Sequence, residues 1–259
     1  MSTFLFNEII FGPVRSRRLG ISLGINLLPT DKKYCNFDCI YCECGWSNLS
    51  RVKKTDLPTR EETAKALKSK LIELENSGQE PDVITFAGNG EPTMHPQFHD
   101  ILKDAIVLRN KYCPSAKIAV LCNSTLIHKK KVAVALALAD QNILKIDTVN
   151  EATFNILNKP APGVLLKDII SRLIEFKGRV IIQTMFIRGI YEGVAIDNTT
   201  SDEVEGLIDI YKKIRPGNIM IYTWQRDTAA EGLIKISIEE LEIIGDKIRK
   251  EGFAVEISA

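Results

Sequence analysis

Between Ile21 and Leu27 apolar side chains fall on every second position, Ile21, Leu23, Ile25 and Leu27, with Ser22, Gly24 and Asn26 between them. That two-residue period predicts a β-strand. Short apolar runs of strand length recur at 83–87, 117–122, 143–147, 180–185 and 218–222. Longer stretches with helical spacing follow them. The first runs from a Thr59 cap to about residue 76, and the others cover 95–111, 129–139, 165–176, 201–214 and 238–250. Thr59 with Glu62 three residues on is a capping-box signature, and Ser77-Gly78 supplies a stop. Strand followed by helix, six times over, predicts one parallel sheet covered by helices. The expected fold class is α/β, an open partial (β/α)6 barrel of parallel strands. One domain over 1–259 is expected, with a leading segment at 1–18, the barrel at 19–252 and an edge strand within 253–259, where Phe253, Val255 and Ile257 alternate. Barrels of this kind gather their chemistry in the loops at the C-terminal strand ends.

Composition narrows the function classes. With 45% hydrophobic residues in 259, the chain can bury a large core. Its net charge of +1 supplies no bulk electrostatic argument for a nucleic-acid partner. No run approaches the roughly 18 apolar residues of a membrane span, and Met1 to Asn7 lack a charged leader region. A cytoplasmic protein without a membrane partner is the expectation, in a compartment where thiols stay reduced.

Three of the six cysteines, Cys35, Cys39 and Cys42, are spaced C-x3-C-x2-C, so one tight loop can present three thiolates to one inorganic centre. Three ligands leave one iron of a [4Fe-4S] cubane open, whereas four would make an electron carrier. A zinc knuckle completed by Cys44 is the competing reading. Zinc ribbons bring two separated pairs, however, and Cys113 and Cys122 stand alone, as buried small hydrophobes do. Past the second strand runs Gly88-Asn89-Gly90-Glu91-Pro92-Thr93. Glycines there let backbone approach a ligand, and the Glu91 carboxylate can accept from an ammonium. His95 and His99, four apart, read as the polar face of a helix rather than a metal pair. Asn123 and Asp147 end the third and fourth strands, suited to ribose hydroxyls or polar substrate groups. The fifth supplies Gln183 and Met185, with Arg188 in the loop beyond, and the sixth supplies Tyr222, Trp224 and Arg226, where an aromatic ring can stack on adenine or substrate. Arg15, Arg17 and Arg18 are candidates to clamp a carboxylate or phosphate.

The cysteine spacing with Tyr41 before the third cysteine, and the Gly-x-Gly-Glu-Pro-Thr loop, resemble the radical S-adenosylmethionine (radical SAM) enzymes. The resemblance implies a [4Fe-4S] cluster on Cys35, Cys39 and Cys42 and S-adenosyl-L-methionine (SAM) as second cofactor. The SAM amine would lie on Glu91 and the backbone of Gly88, Asn89 and Gly90, with Tyr41 near adenine and Asn123, Asp147 and Gln183 around the cofactor. It implies reductive SAM cleavage to a 5′-deoxyadenosyl radical, hydrogen abstraction from a substrate, and an electron donor such as flavodoxin or ferredoxin. Over nearly the whole chain, from Gly12-Pro13-Val14 through Gln183-Thr184-Met185-Phe186 to Gly232-Leu233-Ile234-Lys235, the chain resembles stand-alone relatives of the wyosine-synthesis enzymes. Demethylwyosine synthases condense pyruvate with N1-methylguanosine in tRNA and carry a second cluster on upstream cysteines; here no cysteine precedes Cys35. The substrate stays open between RNA and protein. Alternatives are wyosine-type tRNA guanosine modification, a glycyl-radical-enzyme activase or a peptide-modifying enzyme, and outside enzymes an electron carrier or zinc-stabilised binding protein.

Overall fold

A computed structural model describes residues 4–47, 49 and 52–259. Eight strands form the main sheet. In chain order they are β1 (Ile10–Ser16), β2 (Gly20–Ile25), β3 (Val83–Phe86), β4 (Lys117–Cys122), β5 (Gln141–Lys145), β6 (Ile181–Met185), β9 (Asn218–Tyr222) and β11 (Val255–Ser258). They lie side by side in that same order. Every neighbouring pair is parallel except β1 with β2. The helices are α1 (Arg60–Ser77), α2 (Phe98–Tyr112), α3 (Lys130–Leu136), α4 (Glu151–Leu157), α5 (Leu166–Glu175), α6 (Ser201–Ile214) and α7 (Ile238–Lys250). The result is a curled parallel sheet, the expected partial barrel.

Alternation along each strand sorts side chains between two environments. Ile84 and Phe86, Ile118 and Val120, Leu144, Ile182, and Ile219 and Ile221 enter the large core shared with helices such as α1, α2 and α6. Their neighbours Val83, Ala119, Ile143 and Met220 make a small apolar floor on the other face. One pleat further along, that inner face carries Thr85, Leu121, Lys145, Gln183, Met185 and Tyr222, which line a cavity above the floor. The sheet is therefore packed below and hollow above.

Several details depart from the expectation. The leading segment is not an appendage, because β1 pairs antiparallel with β2 and extends the sheet. A separate antiparallel sheet of β7 (Ile187–Tyr191), β8 (Val194–Asp197) and β10 (Leu233–Lys235), in the order β10-β7-β8, occupies stretches read as loop. Helix α4, capped by the Asn150 side chain on the N–H groups of Ala152 and Thr153, was also absent from the pattern. The edge strand does exist, with β11 parallel to β9. His95 lies outside α2, after the 3-10 turn Pro92–Met94, so His95 and His99 do not share a helix face. Among the described residues no helix is long and apolar enough to cross a membrane.

Candidate functional site

The cysteine loop follows β2 and is held by backbone on two sides. Tyr34 N–H donates to Asn89 O at 2.8 Å, and Glu91 N–H donates to Tyr34 O at 3.1 Å. This strand-like contact requires glycine at 90: its φ is +139°, and a Cβ would stand 2.0 Å from Tyr34 O. On the other side Asp38 N–H donates to Asn158 O at 2.9 Å and Ile40 N–H to Leu157 O at 3.1 Å. So fixed, Cys35, Cys39 and Cys42 line the cavity, whose volume is ≈ 460 Å³. Gly88, Gly90, Glu91, Asn123, Gln183, Tyr41, Tyr222, Trp224, Arg15, Arg17 and Arg18 line it too. A hollow of ≈ 480 Å³ between Ser124, His128 and Arg172 touches none of the cysteines.

The thiols are set among hydrogen-bond donors. Phe37 N–H and Asn123 Nδ2 reach Cys35 Sγ at 3.4 and 3.6 Å, and Asn158 Nδ2 reaches Cys39 Sγ at 3.4 Å. Burial pushes the Cys35 and Cys39 thiols up, while the hydrogen bond from Cys44 and the charge of Lys33 hold Cys42 below the usual thiol range. Lys33 is 3% exposed, and Nζ donates to Gly45 O at 2.9 Å and to Asp38 at 3.2 Å. Burial alone lowers a lysine, yet Cys42, Cys35, Cys39 and Asp38 outweigh it and keep Lys33 charged. Among the described residues no three His, Cys, Asp or Glu side chains converge closely enough to hold a single metal ion.

Glu91 is buried and oriented: Thr93 donates to Oε1 from N–H and hydroxyl, and Asn123 N–H donates to Oε2 at 2.6 Å. Burial raises its pKa against those donors, which a cationic partner in the cavity would relieve. Gln183 Nε2 and Arg18 Nη1 are buried with no hydrogen-bond partner among the described residues. The orphaned Gln183 donor, an oriented carboxylate and glycine backbone on one cavity fit a polar, zwitterionic cofactor.

Three expected site residues are placed otherwise. The Asn89 backbone, expected to meet the cofactor, is spent within the chain, its N–H donating to Asn26 Oδ1 at 3.1 Å and its O accepting from Tyr34 N–H at 2.8 Å, while its side chain accepts from Phe6 N–H at 2.8 Å, donates to Phe6 O and Pro29 O, and so pins the leading segment. Asp147 lies behind the wall, not beside a ribose. Its carboxylate accepts from Tyr41 OH, from Asn158 Nδ2 at 2.8 Å and from Met185 N–H at 2.9 Å, and pairs with Lys145 at 3.1 Å. Arg188 sits on the small sheet and is bound by Glu240 at 2.7 Å and by Thr199. Lys145 went unnoticed in the sequence. It lines the cavity with Nζ 2.9 Å from Tyr222 OH, and Asp147, Tyr222 and Cys39 together outweigh burial to hold it protonated. The signal that marks it is a lysine on the inner face of a strand two residues before a buried acid.

A model described as the Radical SAM superfamily matches residues 32–197, from just before the cysteines to the end of β8. A UPF0026 protein of Helicobacter pylori (strain J99) is 30% identical over 239 residues, 90% of this chain and 71% of that protein. A UPF0026 protein of Methanocaldococcus jannaschii is 30% identical over 219 residues, 83% and 63% respectively. A protein of Brachyspira hyodysenteriae named GTPase Obg is 30% identical over 237 residues, 90% of this chain but 32% of that one. This chain thus spans about a third of that last protein's length and just under two thirds of the Methanocaldococcus one. Among solved structures, a radical SAM methyltransferase from Sphaerobacter thermophilus superposes with a TM-score of 0.66 at 15% identity, over 91% of this chain and 65% of that one. TYW1 with a lysine-pyruvate adduct bound gives 0.62 at 15% identity, over 88% and 73%. These two likenesses are of fold. With the family match and the relatives taken together, the chain belongs to the radical SAM superfamily, in the group of UPF0026 proteins.

Proposed function

We propose that this enzyme reductively cleaves SAM and abstracts hydrogen from a second substrate, using a [4Fe-4S] cluster on Cys35, Cys39 and Cys42. The observation that carries the reading is one cavity lined by those three thiols, the Glu91 carboxylate and the backbone of Gly88 and Gly90. When bound, cluster and SAM supply the chemistry, one electron giving methionine and a 5′-deoxyadenosyl radical. The chain's own residues do the rest. Lys33, buried beside the thiols, offsets the negative charge of three thiolates, and the amides of Asn123 and Asn158 donate to sulfur. Glu91, fixed by Thr93 and Asn123, receives the methionyl ammonium. Gln183 Nε2 and the Tyr41 ring serve as further cofactor contacts on the same wall. Lys145, held protonated by Asp147, donates hydrogen bonds and is unsuited to act as a nucleophile. A small one-electron donor protein of the flavodoxin or ferredoxin kind is the partner, in the reducing cytoplasm.

The test is 5′-deoxyadenosine release from SAM by anaerobically reconstituted, dithionite-reduced protein. Release by the parent and none by Cys35→Ala is the expected outcome. A parent chain that takes up zinc in place of iron and leaves SAM intact would sink the reading.

A further inference from the structure

The turn between β1 and β2 crosses the open side of the curled sheet. Four strands lie between β2 and β9 in the sheet order. Even so, Arg17 Nη2 donates to Thr223 O at 3.5 Å and the Arg18 guanidinium lies 4.3 Å from the centroid of the Tyr222 ring. With Arg15 and Arg226 also on the wall, four arginines and Lys145 face this cavity. Its two lining carboxylates, Glu43 and Glu91, are committed elsewhere. Glu43 pairs with Arg226 at 3.4 Å and takes the N–H of Arg226 and Gln225. Glu91 is taken by Thr93 and Asn123. Lys145 is answered by Asp147. Arg18 Nη1 alone of these cationic donors is shielded from water and without a partner among the described residues. A guanidinium seated over a ring on a cavity wall, with one of its nitrogens unanswered, is suited to meet a planar or tetrahedral anion.

Resting on the function proposed above, we infer that Arg18, seated over the Tyr222 ring and flanked by Arg17, binds an anionic group of the second substrate, a carboxylate or a phosphate monoester. The SAM amine takes the Glu91 side, beyond β3, and the substrate's anion takes the β9 side. The substrate thereby enters with its charged end fixed and the remainder directed into the same hollow as the cysteines.

The test uses cluster-reconstituted protein with Trp46→Phe, which leaves Trp224, on the cavity wall, as the sole tryptophan. Its fluorescence is followed in titrations with inorganic phosphate and, separately, acetate, at ionic strength matched with chloride. A saturable response to at least one anion is expected, weakened about tenfold or more by Arg18→Gln, which is ~1.4 kcal/mol. Response to phosphate alone identifies a phosphorylated substrate, response to acetate alone a carboxylate, and response to both supports the shared anion chemistry. No saturable response to either by about 50 mM, a range that still captures weak millimolar binding, overturns the inference. So does an Arg18→Gln variant that titrates like its parent. SAM binding by equilibrium dialysis is expected to survive Arg18→Gln; its loss would reassign Arg18 to the cofactor and overturn the inference. If Arg18→Gln fails to fold, Arg18→Met, which keeps an unbranched apolar stem and removes the charge, takes its place, and parental anion affinity in that variant overturns it equally. Because the titration needs no SAM cleavage, a protein that binds the anion yet releases no 5′-deoxyadenosine counts against the proposed reaction alone.

Discussion

His95 is locked in one neutral tautomer. Its Nε2 donates to Pro58 O at 2.9 Å, and Nδ1 accepts from Gln97 N–H at 3.1 Å, so a second ring proton would face another N–H. Burial accordingly depresses its pKa below 6.5. Between the depressed value and 6.5 the unfolded chain binds a proton that the folded chain refuses, so stability falls as pH drops through that window. Urea midpoints measured anaerobically from pH 7 to about pH 5 should fall less steeply for His95→Gln than for the parent. Parallel profiles would refute the assignment. The same residue illustrates the limit of spacing arguments: His95 and His99 fit a helix face, but Pro92 starts a 3-10 turn first. The ligand candidates Cys35, Cys39, Cys42 and Glu91 were legible because their chemistry lies in one short local pattern. Lys33 and Lys145 were not, because an isolated lysine near a loop or strand end reads as a solvated charge until the fold buries it, and Asp147 reads as a strand-end acid until Tyr41 and Asn158 close over it.

At the scale of elements, the alternating β/α pattern was readable because parallel strands buried on both faces appear as compact apolar runs. The β1–β2 hairpin and the small sheet escaped for local reasons. In β7–β8 the turn is Glu192-Gly193, with both φ values positive at 50° and 79°, the geometry usually announced by Asn-Gly. In β1–β2 the decisive contact is Gly24, where the Phe11 ring lies over bare backbone and a Cβ would meet its Cζ at 2.0 Å. Phe6 stacks on Phe11 at 3.6 Å between centroids, so the ring has little room to retreat. Gly24→Ala should therefore destabilise by about 1–3 kcal/mol, an overpacking cost. The same change in a Phe11→Leu background should cost clearly less, and equal losses in both backgrounds would show that the ring is not the obstacle.

For the whole molecule, the curled sheet organises stability as well as chemistry. Strands β3 to β6 have neighbours on both sides, and β3 is buried at all four positions. The small sheet instead exposes Ile190, Val194 and Ile234. Native-state hydrogen exchange should show the slowest amides in β3 to β6 and markedly faster exchange in β7, β8 and β10. Equal protection of the two sheets would contradict this picture. Net charge of +1 says little about such a molecule, since four arginines and a lysine share one cavity with only two carboxylates.

Asn158 joins Cys39, Tyr41 and Asp147, and its partners on the cysteine loop lie 119 and 117 residues upstream. On a ribosome adding about 5–20 residues per second, the loop emerges roughly 6–24 s before the asparagine that completes its seat has been polymerised. During that interval the three thiols belong to an unfinished chain without their finished seat. On the function proposed above, loading of a cluster would be deferred until translation has passed α4, and a messenger truncated before that point would yield a chain with all three cysteines and no seat for them.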